Sequence, residues 1–172
     1  MSTWIVDAGP LIFLAKLGRL DLLQQADVVC IPQAVYNETQ QYNDAAAAVI
    51  AHIARSWLKV CVVRNQQETH TLLTDLDIGE AEVIALAKEL QPDRLILDDM
   101  DARRLARRYG FSVTGTVGLL LAARLRNGIP SLRTELDRLK AVGFWINPQL
   151  EEAILKEAEE VKVSDIGKDE ED

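Results

Sequence analysis

Acids at the ends of apolar runs are the first feature of this chain that could do chemistry. Asp7 closes Thr3-Trp4-Ile5-Val6, Asp98 and Asp99 close Arg94-Leu95-Ile96-Leu97, Glu38 ends the segment opened by Pro32, and Glu80 falls in the first turn of an alanine-rich stretch that begins at Asp77 or Gly79. In an open parallel sheet, side chains at the carboxyl ends of strands converge on a crevice where the strand order reverses. Four carboxylates gathered there repel by about 4 kcal/mol per pair at a separation of ~4 Å and an effective dielectric near ~20. Proton uptake or a hard divalent cation relieves that repulsion. Oxygen donors without His or Cys favour Mg²⁺ or Mn²⁺ over zinc, and such a centre suits in-line attack of water on a phosphodiester. Taken singly, Glu38 and Glu80 also suit exposed helix faces, and Asp99 suits an N-cap. Asp7 sits between an apolar strand and an apolar helix and has no such surface role.

A second group is basic. Arg103, Arg104, Arg107 and Arg108 share one helical segment beside the acids, and guanidinium groups suit phosphate contact. The alternative is a solvated outer face with partners one turn away, and Arg103 and Arg104 cannot both point the same way. Thr114-Gly115-Thr116-Val117-Gly118 puts a glycine turn at a helix start, where backbone N–H groups receive phosphate; Thr116 is the polar contact expected from it. Arg103, Arg107 and Thr116 are therefore the expected phosphate contacts. Neither a GxGxxG pattern nor a Walker lysine accompanies this turn.

These residues need a scaffold. The runs at 3–7, 28–31, 58–63, 94–98 and 111–114 read as strands, and helical spacing follows Asp7, runs from Pro32 through Glu38, and covers 44–56, 77–90 and 99–109. Further helices are expected at Leu119–Arg126, Leu132–Ala141 and Pro148–Glu160. Continuously apolar strands separated by helices imply an α/β fold with a parallel sheet covered on both faces. Trp4, Trp57 and Trp145 lie in apolar runs and read as core.

The chain has 172 residues and a net charge of −8, with 48% hydrophobic residues and a mean hydropathy of −0.01. That is one domain's worth of chain with enough apolar residues for a core, which excludes a wholly disordered protein. Residues 151–172 hold ten acids against three lysines, a net of −7 that leaves the body at −1. Residues 65–101 carry −8 and residues 103–140 carry +7, so an acidic stretch adjoins a basic one. The longest charge-free run, Tyr109 to Ala123, is 15 residues and rich in Gly, Ser and Thr, too short and too polar to span a bilayer. The amino terminus meets Asp7 without a basic start and apolar stretch, so the cytoplasm is the expected compartment. Cys30 and Cys61 read as reduced, structural thiols. With His52 and His70 they form no zinc-ligand spacing. The charged end beyond about Val161 reads as mobile.

Five motifs in order carry a family resemblance. Asp7-Ala-Gly-Pro-Leu-Ile, Ile31-Pro-Gln-Ala-Val-Tyr-Asn-Glu38, Gly79-Glu-Ala-Glu-Val-Ile-Ala-Leu-Ala87, Leu95-Ile-Leu-Asp-Asp-Met-Asp-Ala-Arg103 and Val113-Thr-Gly-Thr-Val-Gly118 resemble the PIN-domain superfamily. They are most similar to its small prokaryotic branch of uncharacterised activity. The resemblance covers residues 3 to 147. It implies a three-layer α/β/α sandwich with a central parallel sheet of about five strands, a PIN-like domain over 1–147, and a carboxyl-terminal helix and acidic tail over 148–172. It also implies a Mg²⁺- or Mn²⁺-dependent ribonuclease acting on single-stranded RNA. Many relatives are toxins silenced by a small antitoxin partner, and relatives often form homodimers. Asp7 matches the first acid and Glu38 the second. Glu80 stands where relatives usually carry Asp, and Asp99 matches the acid after the fourth strand, with Asp98 as its neighbour. Gly9 stands where many relatives carry Ser or Thr.

Two functions of different class remain open on these residues. One is the metal-dependent endoribonuclease. The other is a catalytically silent module that keeps the fold and binds RNA or a protein partner through its basic helix. Phosphotransfer is set aside: Asp7-Ala8-Gly9 is not the AspXAsp a haloacid-type phosphatase needs, and a receiver's strand-5 lysine is absent.

Overall fold

The computed structural model describes residues 1–166; the end of the acidic tail, 167–172, lies outside the described residues. The chain forms two compact units, Met1–Thr116 and Val117–Asp172. The first contains the entire sheet. Its strands are β1 (Thr3–Val6), β2 (Val28–Pro32), β3 (Leu58–Cys61), β4 (Arg94–Ile96) and β5 (Val113–Thr114), all parallel in the order β3-β2-β1-β4-β5. Register is direct: Ile5 pairs with Cys30 on one side and Leu95 on the other, Val29 with Leu58, and Leu95 with Val113. Ile5, Val6, Val29, Ile31, Leu58, Leu95, Ile96 and Leu97 are buried, each worth about 1.5–3 kcal/mol of burial. That is why these short runs are continuously apolar rather than alternating.

The helices of this unit are α1 (Ala8–Leu17), α2 (Gln33–Thr39), α3 (Ala45–Ile53), α4 (Gln66–Leu72), α5 (Ile78–Leu90) and α6 (Met100–Arg108), with a 3₁₀ turn at Leu20–Gln25. The connections from β1 to β2 and β3 run one way across the sheet, and those from β3 through β4 to β5 run the other. Right-handed crossovers therefore place α1 and α3 on one face and α4, α5 and α6 on the opposite face. The result is a three-layer α/β/α sandwich, with the reversal between β1 and β4. α2 packs against both α1 and α5. α1 ends at Gly18, whose positive φ of 68° closes the helix in the left-handed conformation, its N–H reaching Ala15 O and Leu14 O.

The second unit holds the remainder of α7 (Thr116–Leu125), α8 (Leu132–Ala141) and α9 (Pro148–Ile166). Ser131 caps α8, and Lys140 of α8 meets Glu151 of α9 at 2.7 Å. Among the described residues no helix is long and apolar enough to cross a membrane.

Several boundaries differ from the sequence expectation. α4 and the 3₁₀ turn were not anticipated by the periodicity: α4 is polar, buries Thr69 and Leu72, and is announced mainly by its Asn65 cap. β3 stops at Cys61, and Val62 beyond it is exposed. α7 begins at Thr116, three residues early. Trp145 is a correction: it is 76% exposed, so an apolar run did not make it core. Trp4 and Trp57 are half-buried. Cys30 and Cys61 are free thiols on adjacent strands, and burial first, then Cys61, pushes the Cys30 thiol up to about 12.

Candidate metal centre

Asp7 follows directly on β1 and occupies the N-cap position of α1, and its N–H donates to Ile96 O at 3.0 Å, tying the end of β1 to β4. Its carboxylate makes no capping hydrogen bond further into α1 than the adjacent Ala8, and it is only 8% exposed. Burial pushes it up to about 7. The charges of Glu80, Asp77 and Glu38 push the same way, and the Ala8 N–H opposes them. Glu38 lies on α2, half-buried, and is raised by burial and then by Asp77. Glu80 sits in the first turn of α5. Burial raises it to about 7, followed by Asp77, with Asp99 and Glu38 adding to the rise. Among the described residues, the side-chain charges acting on these three are all acidic, with no arginine or lysine among them.

Glu80 and Asp77 form a capping box. Glu80 N–H donates to Asp77 Oδ1 at 2.8 Å, and Asp77 N–H donates to Glu80 Oε2 at 3.2 Å. Asp99 caps α6 through the Ala102 N–H at 2.9 Å and faces solvent, yet its charge reaches Glu80. Asp99 thus fills the N-cap role its position suggested, with its charge also acting on Glu80. Asp77 is the acid that sequence reasoning read only as a helix start. It acts on all of Asp7, Glu38 and Glu80. Its signal was the Asp-x-x-Glu spacing, which reads as a cap and conceals the second role.

Gly79 explains how the carboxylates share space. A Cβ at this position would lie 3.1 Å from Glu38 Oε2, 3.6 Å from Asp7 Oδ1 and 3.6 Å from Asp77 Oδ1. Three carboxylate oxygens from three separate elements thus surround the gap a side chain would fill. Among the described residues no three such groups are drawn together closely enough to hold an ion as they stand. The three oxygens border a common space at the Gly79 Cβ position without forming a closed ligand set. An all-oxygen donor set, unneutralised and arranged around a gap, fits a hard divalent cation.

Three expected site residues go elsewhere. Asp98 accepts from the Thr116 N–H at 2.7 Å and the Thr116 hydroxyl at 2.6 Å, and its charge interacts with Arg103. It is not among the charges acting on Asp7, Glu38 or Glu80. Burial raises its pKa even against those partners. Thr116 is fully buried, so it is no RNA contact. Arg103 turns inward, donating to Leu97 O at 3.0 Å. Asp98, expected to bind metal, and Arg103 and Thr116, expected to meet RNA, instead join one another in a bracket at the ends of β4 and β5. Gly115 permits it, since a Cβ there would lie 2.5 Å from Arg103 Nη1 and 2.8 Å from Asp98 Oδ1. Arg107 remains exposed with Arg104 and Arg108; Arg104 has Asp101 at 3.8 Å.

A family model described as a PIN domain matches residues 3–160. The chain belongs to the PIN-domain family. No curated protein matches it. PIN domains are generally nucleases and typically use divalent metal ions, and in this PIN domain Asp7 and Asp99 lie beyond the carboxyl ends of β1 and β4. Gly9 leaves the space beside its own Cα open, so no hydroxyl stands there in this PIN domain.

Proposed function

We propose that this PIN domain is a Mg²⁺- or Mn²⁺-dependent endoribonuclease in which Asp7, Glu38, Glu80 and Asp99 hold the ion, with Asp77 beside them. The observation that carries this reading is the gap at Gly79, faced by oxygens of Asp7, Glu38 and Asp77, with only acidic side-chain charges acting on Asp7. When bound, such an ion neutralises the carboxylates and the charge that develops on a phosphodiester during in-line attack by water. The chain's own part is to hold the acids in place. The Asp7 N–H bond to β4 and the Asp77–Glu80 capping box fix two of them on rigid elements, and burial keeps water from screening Asp7. Single-stranded RNA is the substrate in this reading, its phosphates met by exposed Arg107 and neighbouring arginines of α6. In this reading the setting is cytoplasmic, with a small antitoxin partner and a homodimer, as the family resemblance implies.

The test is cleavage of a labelled single-stranded RNA with Mn²⁺, with EDTA, and by an Asp7→Asn variant. Cleavage confined to the wild type with Mn²⁺ is expected. RNA binding without cleavage under any metal would favour the silent binding module, and the absence of both would remove the RNA reading.

A further inference from the structure

Glu82 lies two residues beyond Glu80 on α5, about 200° around the helix, and is absent from the charges acting on Asp7, Glu38 and Glu80. Its Oε2 instead accepts the Ala34 N–H at 2.9 Å. Ala34 is the second residue of α2, whose N-cap, Pro32, offers no side-chain acceptor. The first N–H groups of a helix have no partner within it, and a helix of 7 residues does not sustain itself in water. α2 is therefore capped from outside, by a residue of the helix against which it packs. A carboxylate at that end also opposes the positive pole of the helix. One turn further along α2 from Ala34 is Glu38, whose Oε2 borders the gap at Gly79.

We propose that Glu82 is a positioning residue for the metal centre: by capping α2 from α5, it holds Glu38 across the Gly79 gap from Asp7 and Asp77. The inference rests on the metal-dependent reading above and adds a residue that touches neither ion nor substrate. It makes α5 two-sided, presenting Glu80 to the acidic cleft and Glu82 to the helix that carries Glu38.

The experiment is Mn²⁺ titration by calorimetry on the full chain, comparing wild type, Glu82→Ala, Glu82→Gln, Glu38→Ala and the Glu38→Ala/Glu82→Ala double variant. Loss of a partner that orients a ligand typically weakens metal binding by about 10–100-fold, so Glu82→Ala is expected to weaken Mn²⁺ about tenfold. Glu82→Gln keeps an acceptor oxygen for Ala34 and should stay within about threefold of wild type. With Glu38 already removed, removing Glu82 should cost nothing further. Wild-type affinity in Glu82→Ala overturns the positioning role and leaves the ribonuclease reading intact. An equal loss with and without Glu38 overturns it too, since the effect would then be general. A wild type that binds no Mn²⁺ overturns both. Hydrogen exchange on the metal-free wild type needs no variant to fold: slow exchange at the Ala34 amide is expected, and exchange as fast as an open loop refutes the cap.

Discussion

Replacing Asp7 by Asn should make the metal-free protein more stable, and the gain should grow with pH. The Asp7 carboxyl has an ordinary value of 3.8 and is pushed up to about 7 in the fold, by burial first and then by Glu80, Asp77 and Glu38. Below about pH 4 the group is protonated in both folded and unfolded chains and contributes no difference. Between the two values the unfolded chain has lost the proton and the folded chain has kept it, so stability falls as pH rises, and the loss is complete above about pH 7. A rise of roughly three pH units at ~1.36 kcal/mol each amounts to about 4 kcal/mol. Asn keeps the shape and drops the charge. In EDTA, Asp7→Asn and wild type should therefore unfold alike near about pH 4 and differ by several kcal/mol near about pH 8, on the order of 10 °C in Tm for a chain of this size. Urea unfolding across that range measures the difference directly. Mn²⁺ should reverse the order, since it stabilises only a fold that binds it. Equal stability of the two proteins near about pH 8 in EDTA, with no trend in pH, would refute the claim that this carboxylate is buried among uncompensated like charges.

Three further outcomes follow from the same geometry. Gly79 has an ordinary helical backbone and sits inside α5, so Gly79→Ala should leave thermal stability unchanged or raise it by up to about 1 kcal/mol. Its methyl would stand 3.1 Å from Glu38 Oε2, and calorimetry should show Mn²⁺ affinity down at least about tenfold. Thr116→Val removes the hydroxyl that donates to Asp98 Oδ2 at 2.6 Å and should cost about 1–3 kcal/mol in urea unfolding. Arg107→Ala, at an exposed position, should lower the slope of log affinity against log salt for single-stranded RNA by about 0.7, read by fluorescence anisotropy in EDTA.

Much of the fold was legible because its signals are local. A strand buried on both faces must be apolar throughout, and a helix against a sheet must repeat its apolar residues every three or four positions. β1, β2 and β4 and the helices α2, α5, α6 and α8 accordingly lie close to where periodicity predicts them. α4 escaped because its short polar sequence buries too little to carry a period. Trp145 misled because an apolar neighbourhood in sequence is not a buried one in space.

The acids divide along the same line. Asp7, Glu38, Glu80 and Asp99 could be nominated from sequence because a parallel sheet sends the residues after its strands to one edge. Which neighbouring side chain faces that edge is a different matter. Asp98 and Asp99 are adjacent and chemically alike, yet one is bonded to Thr116 and the other reaches Glu80. Asp77 is read locally as a cap, and only the approach of α2 and β1 makes its charge part of the cleft. Periodicity and residue type determined the elements and nominated the acids, since both are read from nearest neighbours along the chain. Tertiary structure decided the membership of the centre, because the direction of a side chain and the distance between carboxylates depend on how separate elements pack.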